Sequence, residues 1–222
     1  MEDGKKMINI IYEDNHLLVA EKPINIPVQA DSSGDTDFLS MLKDYLKNKY
    51  DKPGKVYLGL VHRLDRPVSG IMVFAKTSKA AKRLSDQIAK HEFKKTYLAV
   101  CEGKIYDSGT FTDKLEKDRK NNITKVSASG KEAELSFKLL DYKDNLSLVK
   151  INLKTGRSHQ IRVQFSSRGY PLYGDQKYNL NSKKDNIALF AKEIEFFHPI
   201  TKELVKYSLP KPDRYPFNLF KD

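Results

Sequence analysis

Residues 62–75 read HRLDRPVSGIMVFA, a short charged segment followed at once by an uninterrupted apolar run. Pro67 and Gly70 are residues that favour a loop or turn. The apolar run at 71–75 is typical of a buried β-strand. This order predicts that Asp65 is presented on a loop whose position is fixed by the strand that follows it.

Short apolar runs of the same kind recur along most of the chain. They lie at residues 8–12, 17–20, 71–75, 97–101, 146–153, 187–197 and 204–209. Between 146 and 153, Val149, Ile151 and Leu153 alternate with polar residues, which is the period of a half-buried strand. The chain is therefore expected to be rich in β-strands.

Helical spacing of apolar residues occurs in three places. The first predicted helix spans residues 37–50, and the third begins near Ser158 and ends at Gly169, a residue suited to a helix C-terminus. The second follows Thr77, a favourable N-cap. The residues expected on the inner face of the second helix are Ala81, Leu84 and Ile88. Many strands with few, scattered helices predict an α+β fold with a largely antiparallel or mixed sheet.

The segment from residue 107 to residue 132 is polar and charged, and it contains Gly109 and Gly130. Its composition predicts a long surface excursion, with a hairpin as one form that it could take. Loops of this length are usually functional or disordered.

Charge and composition restrict the class of protein. The 222 residues include 40 basic and 29 acidic side chains, which gives a net charge of +11. Such an excess favours a polyanionic partner, because each Lys or Arg docked on a phosphate releases condensed counterions. A soluble protein from a lysine-rich proteome would have the same charge. The length suits one large domain or two small ones, and we predict a single domain over residues 1–222.

Cysteine usage and the N-terminal sequence bear on where the protein acts. Cys101 is the only cysteine, so the sequence has no intrachain disulfide and no multi-cysteine metal site. The N-terminal residues lack the apolar run of a signal peptide, and no stretch reaches membrane-spanning length. We therefore expect a cytoplasmic protein that does not bind membranes.

Three strings of residues carry the candidate chemistry. In the first, arginines flank Asp65 and would favour its ionised form, although an aspartate in a turn that merely pairs with a neighbouring arginine has the same pattern. The second string, residues 155–162, reads TGRSHQIR and lies in a stretch without acidic residues, so an anion site and a solvated basic helix are both consistent with it. The third, residues 94–97, reads KKTY and joins basic side chains to an aromatic ring, a combination that suits base stacking.

The sequence lacks motifs that several other enzyme classes require. The kinase loop that His62–Asp65 superficially resembles would need a glycine-rich loop and an Asp-Phe-Gly sequence. The sequence has no Walker A motif, no zinc-ligand spacing and no evident second carboxylate for a glycosidase. His16, His91 and His198 are scattered and are interpreted as structural.

Taken together and in this order, the strings resemble the RluA family of pseudouridine synthases. The resemblance spans most of the chain. It rests on residues 12–14 (YED), Lys22-Pro23, 62–65 (HRLD), Ser69-Gly70, 95–97 (KTY), Gly103, 156–162 (GRSHQIR), Pro171, Gly174-Asp175, Tyr178 and His198-Pro199. The sequence departs from the family pattern at Asn25, Val68 and Leu135, where Gly, Thr and Thr are usual. These departures bear on local packing or target choice rather than on the class of reaction.

The resemblance implies a fold, a reaction and roles for particular residues. It implies an α+β domain with a bent, mixed, mostly antiparallel sheet, helices packed on it and a central catalytic cleft. Asp65 would be the catalytic aspartate, Tyr97 the ring against the target base, and Arg162 the ion-pair partner of Asp65. Arg63 would occupy the space left by an extruded uridine. The remaining residues expected to contact substrate are His62, Arg66, Lys95, Arg157, His159 and Gln160. Many relatives also carry an N-terminal S4 RNA-binding domain, which we expect this protein to lack.

The implied reaction breaks the N1–C1′ bond of a uridine, turns the uracil and joins C5 to C1′. Since only protons exchange, we expect neither a cofactor nor a metal. Asp65 would act as a nucleophile or as a base, and the sequence favours neither. The expected partner is structured RNA, either rRNA or tRNA, bound by a monomer without a protein partner. A catalytically silent RNA-binding protein of the same fold, and a uridine-directed glycosidase, are the alternatives.

Overall fold

The computed structural model describes residues 8–182 and 185–221. This part of the chain divides into two compact units. The first unit comprises the described residues up to Phe93 together with Phe196–Tyr207, and the second comprises Lys94–Glu195 and the described residues from Ser208 onward. The single domain over residues 1–222 stays a prediction.

Strands outnumber helices in the described residues, as the sequence predicted. The strands, β1 to β11, are Ile10–Glu13, Leu17–Lys22, Gly59–Leu60, Ser69–Ala75, Lys94–Glu102, Ser108–Asp118, Ile123–Val126, Lys131–Lys143, Leu146–Leu153, Leu189–Phe197 and Leu204–Ser208. The helices are α1 (Phe38–Lys49), α2 (Ser78–Ala89) and α3 (Gln160–Ser166), followed by a 3-10 turn at Phe217–Leu219. The α+β class with a mostly antiparallel sheet is confirmed.

The first unit is built on two largely buried strands, β2 and β4. β4 pairs antiparallel with β2 and with β3, and β2 pairs antiparallel with β1. All seven residues of β4 are buried, which explains why its sequence is an apolar run without alternation. This strand holds the loop that ends at Val68, as predicted for residues 62–75.

Helix α1 begins one residue after its predicted start, and α2 begins directly after Thr77, its predicted N-cap. The Asp37 carboxylate accepts a hydrogen bond from the Ser40 amide at 3.0 Å, and the Thr77 hydroxyl accepts one from the Ala80 amide at 3.1 Å. These bonds satisfy backbone donors that the first turn of a helix leaves unpaired. The predicted bounds of α1 are confirmed to within one residue, and the predicted start of α2 after Thr77 is confirmed.

Leu84 is buried on the inner face of α2 as predicted, but the other two buried positions each lie one residue before the predicted ones. The buried residues of α2 are Ala80, Leu84 and Gln87, whereas Ala81 and Ile88 are only partly buried. The reason is that Gln87 takes a core position by hydrogen bonding, not by apolar contact. Its amide donates to the Phe197 carbonyl and accepts from the Phe197 amide, both at 2.8 Å.

The second unit is a sheet with the strand order β10-β5-β9-β8-β6-β7, in which every pairing is antiparallel. The strand predicted at Leu146–Leu153 is β9, with the bounds of the predicted apolar run. The surface loop predicted for residues 107–132 is wrong, because most of that segment forms β6 and β7. The hairpin considered there is confirmed, with Lys117 pairing with Thr124.

Helix α3 is shorter and more deeply buried than predicted. It begins at Gln160, because His159 adopts a left-handed backbone with φ of 53° and cannot continue a helix. Every residue from Gln160 to Phe165 is buried, so a solvated basic helix is excluded for this segment. Gly169, with φ of 81°, ends the turn after the helix, as expected. In the described part of the chain, no helix has the length and apolar character needed to cross a membrane.

Candidate active site

The loop that carries Asp65 is anchored from both sides by buried apolar residues. Leu64 and Val68 are 8 % and 2 % exposed, whereas Asp65 between them is only partly buried. The Val68 amide donates a hydrogen bond to the Asp65 carbonyl at 3.0 Å and closes a tight turn. The turn fixes the backbone of Asp65 while its side chain stays accessible from outside the core.

Lys22 holds the same loop from the core side. It is the last residue of β2, it is 0 % exposed, and its ammonium group donates to three carbonyls. These are the carbonyls of Pro23 at 2.8 Å, Ile26 at 2.7 Å and Arg66 at 3.0 Å. One side chain therefore links the end of β2 to the residue that follows Asp65.

The electrostatics of Lys22 are those of a cation confined in the interior. Burial lowers the pKa of Lys22 to about 7, and the nearby Asp65 carboxylate partly opposes this effect by attracting the charge. No role was predicted for Lys22, although a lysine two residues after the apolar run 17–20 was the available signal. Lys22 is therefore a residue supporting the Asp65 loop that could not be assigned a role from the sequence.

The other polar residues of the loop point to different partners. The Arg66 guanidinium pairs with the Asp35 carboxylate and donates to the Ser33 hydroxyl at 3.0 Å. Since Arg66 was expected to act on the adjacent Asp65, this pairing with the segment around residue 35 is a finding the sequence did not predict. His62 accepts a hydrogen bond from the Val73 amide at 3.1 Å through Nε2. Arg63 is partly exposed.

The second unit carries the candidate aromatic residue on β5. Tyr97 is 7 % exposed, so most of its ring is packed in the interior. Burial lowers the pKa of the Lys95 side chain on the same strand. The Lys95 ammonium lies against Gly156, where a Cβ would come within 3.0 Å of it. The structure therefore brings the predicted strings at residues 94–97 and 155–162 together.

Gln160 organises the turn before α3. Its amide oxygen accepts from the Thr155 hydroxyl at 2.8 Å and from the Arg157 amide at 3.0 Å, and its amide nitrogen donates to the Glu134 carbonyl at 3.1 Å. Arg157 is exposed and donates through Nε to the Glu132 carbonyl at 2.7 Å. These bonds assign Gln160 to shaping the loop, whereas its expected contact with substrate stays a prediction.

His159 is held in one orientation by Tyr178. The Tyr178 hydroxyl accepts a hydrogen bond from the Thr124 amide at 2.8 Å and lies 2.6 Å from His159 Nδ1. Because the hydroxyl accepts from the amide, its own proton is available to donate to Nδ1. The contact fixes the orientation of the His159 ring.

Arg162 forms a buried, two-pronged ion pair with Asp175. Arg162 Nε and one terminal nitrogen donate to the two carboxylate oxygens at 2.8 and 2.6 Å, and the two side chains are 6 % and 0 % exposed. The guanidinium also lies 5.1 Å from the centre of the Tyr178 ring. Planar two-pronged pairing fixes the direction of the guanidinium as well as its charge. Asp175 and Tyr178 position Arg162, and no role was predicted for either of them.

The candidate residues thus form two groups, one in each unit. His62, Arg63, Asp65 and Arg66 belong to the first group, to which the structure adds Lys22. The second group contains Lys95, Tyr97, Arg157, His159, Gln160 and Arg162, to which the structure adds Asp175 and Tyr178. The ion pair between Arg162 and Asp65 stays a prediction.

Two solved structures share the fold of this chain. The human RNA pseudouridylate synthase domain containing 1 matches with a TM-score of 0.77 at 24 % identity, covering 96 % of this chain and 87 % of that structure. The human RNA pseudouridylate synthase domain containing 4 matches with a TM-score of 0.76 at 20 % identity, with coverages of 92 % and 88 %. The fold is therefore that of a pseudouridylate synthase domain.

Sequence comparisons define the family more closely. Residues 16–167 match the family model described as RNA pseudouridylate synthase. YhcT of Bacillus subtilis (strain 168), an uncharacterised RNA pseudouridine synthase, is 40 % identical over 210 residues, which cover 92 % of this chain and 69 % of the relative. Ribosomal large subunit pseudouridine synthase C of Vibrio parahaemolyticus is 32 % identical over 210 residues, with coverages of 90 % and 65 %. The chain spans about two thirds of the length of these relatives. It belongs to the RluA family of RNA pseudouridine synthases.

Proposed function

We propose that this protein isomerises specific uridines of rRNA or tRNA to pseudouridine and that Asp65 is the catalytic residue. The observation that carries the proposal is the anchored Asp65 loop. Leu64 and Val68 fix it through the core, and the buried Lys22 ammonium ties down the Arg66 carbonyl and attracts the Asp65 carboxylate. A carboxylate held so firmly beside a cation, yet accessible, suits attack on a substrate that is brought to it.

The reaction places defined demands on the protein. A uridine that is paired or stacked must leave the stack before it reaches a side chain, at a cost of a few kcal/mol. The +11 charge favours RNA binding, and Arg63 is proposed to fill the space left by the uridine. The N1–C1′ bond breaks, C5 joins C1′, C5 loses its proton to solvent and N1 gains one. Every atom of the uridine apart from exchanged protons is retained.

Asp65, Tyr97 and Arg162 are proposed to act on the same uridine. Asp65 acts on the substrate as an ionised carboxylate, whether as a nucleophile or as a base. The buried, oriented guanidinium of Arg162 suits stabilisation of an anionic group, and the interior ring of Tyr97 suits contact with a base. Ribosomal RNA is the substrate class that the name of the Vibrio relative gives. The reduced state of a lone, fully buried cysteine fits the cytoplasm, where such RNA is available.

The Asp65→Asn variant tests the proposal. The protein is incubated with RNA carrying tritium at uridine C5, and tritium release and RNA binding are measured separately. Asp65→Asn keeps the shape of the side chain and removes its charge, so tritium release should be lost while RNA affinity stays within a few-fold. Asp51→Asn is the matched control, since Asp51 is exposed and its left-handed backbone suits asparagine.

The same assay separates the alternative functions. A catalytically silent RNA-binding protein would release no tritium with the unaltered sequence. A glycosidase would leave abasic sites and free uracil. Substantial turnover by Asp65→Asn would contradict the assignment of the catalytic residue.

A further inference from the structure

The C-terminal end of α1 carries lysines gathered around one aromatic ring. Tyr50 directly follows the last residue of α1 and is 46 % exposed. The ammonium groups of Lys49, Lys52 and Lys76 lie 5.5, 5.5 and 5.0 Å from the centre of its ring. Lys47 lies three residues before Tyr50, the spacing that brings side chains together on one face of a helix. These five residues are called the lysine–tyrosine patch.

The carboxylate of Glu13 holds part of the patch in place. It accepts hydrogen bonds from the ammonium groups of Lys49 and Lys76, both at 2.8 Å, and from the Tyr50 hydroxyl at 2.6 Å. The Glu13 side chain is only 6 % exposed, whereas 43 % of the Lys49 side chain faces solvent. The hydrogen bond to Glu13 raises the pKa of Lys49, so this lysine stays charged. A cation that is exposed but already fixed loses less side-chain entropy on binding an anion than a mobile one does.

The patch carries more positive charge than nearby carboxylates compensate. Residues 43–55 contain five lysines and two aspartates. Glu13 supplies one negative charge to Lys49 and Lys76 together. Lys47 and Lys52 are exposed, and neither forms an ion pair with a residue in the part of the chain that the structure describes. An excess of clustered, partly fixed cations is complementary to a polyanion.

We propose that the lysine–tyrosine patch binds the phosphate backbone of the RNA substrate, in addition to the contacts made with the target uridine. The inference rests on the proposed function for its partner, RNA, and not on the isomerisation step. Phosphates recur along an RNA strand, so clustered ammonium groups can contact several of them and release their counterions. Contacts of this kind position a nucleic acid without reading its sequence. The patch therefore strengthens the binding of RNAs of different sequence alike.

A double variant, Lys47→Gln with Lys52→Gln, tests the patch. It removes two positive charges and leaves the ion pairs of Glu13 intact. Lys138→Gln with Lys150→Gln is the matched control, because Lys138 and Lys150 are also exposed and lie opposite each other on β8 and β9. The control therefore also removes two neighbouring exposed lysines and changes the net charge by the same amount. Thermal unfolding verifies that both variants fold.

Filter binding measures the affinity of each protein for short transcripts of ribosomal RNA and tRNA, labelled with tritium at uridine C5, between about 50 and about 200 mM salt. The logarithm of the association constant falls linearly with the logarithm of the salt concentration, and each phosphate contact contributes about 0.7 to 0.9 to the slope. The slope of the test variant should therefore be shallower by about 1.5 to 2, with affinity at low salt reduced at least about tenfold. The control should change less than half as much. Tritium release is measured on the same transcripts with the unaltered protein.

The outcomes separate this inference from the proposed function. If the test variant keeps the slope of the unaltered protein, or if the control changes as much as the test variant, the patch proposal is overturned. Neither result bears on tritium release by the unaltered protein. If the unaltered protein binds the transcripts but releases no tritium, the proposed function fails, while the slopes still decide on the patch.

Vesicles containing phosphatidylserine are the second probe, because an anionic membrane could also bind clustered lysines. RNA as the partner predicts that the test variant loses RNA affinity whether or not the unaltered protein binds the vesicles. If the test variant loses vesicle binding and keeps its RNA affinity, the partner of the patch is an anionic membrane and the RNA proposal is overturned.

Discussion

Lys22→Met would remove a buried charge while keeping the length and much of the volume of the side chain. The Lys22 ammonium is fully buried, and burial lowers its pKa from 10.5 to about 7. In the unfolded chain the amine has its ordinary pKa, so the folded state binds fewer protons between pH 7 and pH 10.5. Stability must therefore rise with pH across that range in the unaltered protein. Methionine cannot titrate and removes this contribution.

The size of the effect follows from the pKa of Lys22. Each pH unit by which the pKa differs between the folded and unfolded states corresponds to about 1.4 kcal/mol, so a fall from 10.5 to about 7 corresponds to about 5 kcal/mol in all. Between pH 7 and pH 9, about 2 kcal/mol of this is recovered. Methionine also leaves three carbonyls without their donor, at about 1–3 kcal/mol for each one that stays buried. Since the two effects are of similar size, stability at one pH is not decisive, and the pH dependence is.

Urea unfolding at pH 7, 8 and 9, followed by circular dichroism, measures that dependence. From pH 7 to pH 9, the free energy of unfolding of the unaltered protein should rise by about 2 kcal/mol more than that of Lys22→Met. Other titrating groups cancel in the difference between the two proteins. Lys79→Met, which alters an exposed lysine on α2, should behave like the unaltered protein. Equal pH dependence in the unaltered protein and Lys22→Met would refute a buried, charged Lys22.

Three further predictions concern other side chains. Burial alone would raise the pKa of Glu13, but hydrogen bonds from its lysine and tyrosine partners lower it to about 2. The stability that ionised Glu13 gives the folded state is therefore present above pH 4.5 and is lost as the pH falls towards 2. Between pH 5 and pH 2, the free energy of unfolding of Glu13→Gln should fall by about 3 kcal/mol less than that of the unaltered protein. Urea unfolding measures both. Arg162→Ala should reduce isomerisation far more than Lys82→Ala on the exposed face of α2, and equal effects in the tritium assay would mean that Arg162 has no special role. If Tyr97 acts through its ring, Tyr97→Leu should lower the single-turnover rate about ten- to a hundredfold, whereas Tyr97→Phe should change it little. If the Tyr97 hydroxyl instead takes the C5 proton, Tyr97→Phe should form the new C–C bond but keep the tritium at C5.

The elements of the fold were predictable wherever burial is reflected in the order of apolar residues. Strand β9 alternates between buried and exposed positions from Val149 to Asn152, and β4 is buried throughout, so each has a recognisable pattern. The segment 107–132 was misinterpreted because β6 has few buried residues and many charges, so its composition resembles that of a loop. Gln87 was missed as a core residue because its burial depends on a pair of hydrogen bonds to Phe197, which is distant in sequence.

The residues of the candidate site could be picked out from the sequence, but the contacts between their side chains could not. The strings around Asp65 and Arg162 could be recognised, and the local turn at Asp65 followed from Pro67 and Gly70. The partner of Arg66 could not be predicted, because Asp35 lies 31 residues away and reaches it only through the fold. The two-pronged pairing of Arg162 with Asp175 could not be predicted either, because only the fold brings the two side chains together. Both residues nevertheless belong to the motifs on which the family resemblance rests.

Lys22 and Arg162 show two ways of keeping a cation in a protein interior, and the contrast indicates what each is for. Arg162 is paired with a carboxylate, so its charge is compensated and its direction is fixed. Lys22 donates to three neutral carbonyls, and its lowered pKa means that burial of the charge opposes folding at neutral pH. A costly group of this kind is not explained by stability alone, and strongly shifted groups concentrate at functional sites. What Lys22 supplies is a rigid link from β2 to the carbonyl that follows Asp65 together with a positive charge near that carboxylate. We therefore attribute the position of the loop that carries Asp65 to Lys22 and not to the arginines that flank Asp65 in the sequence.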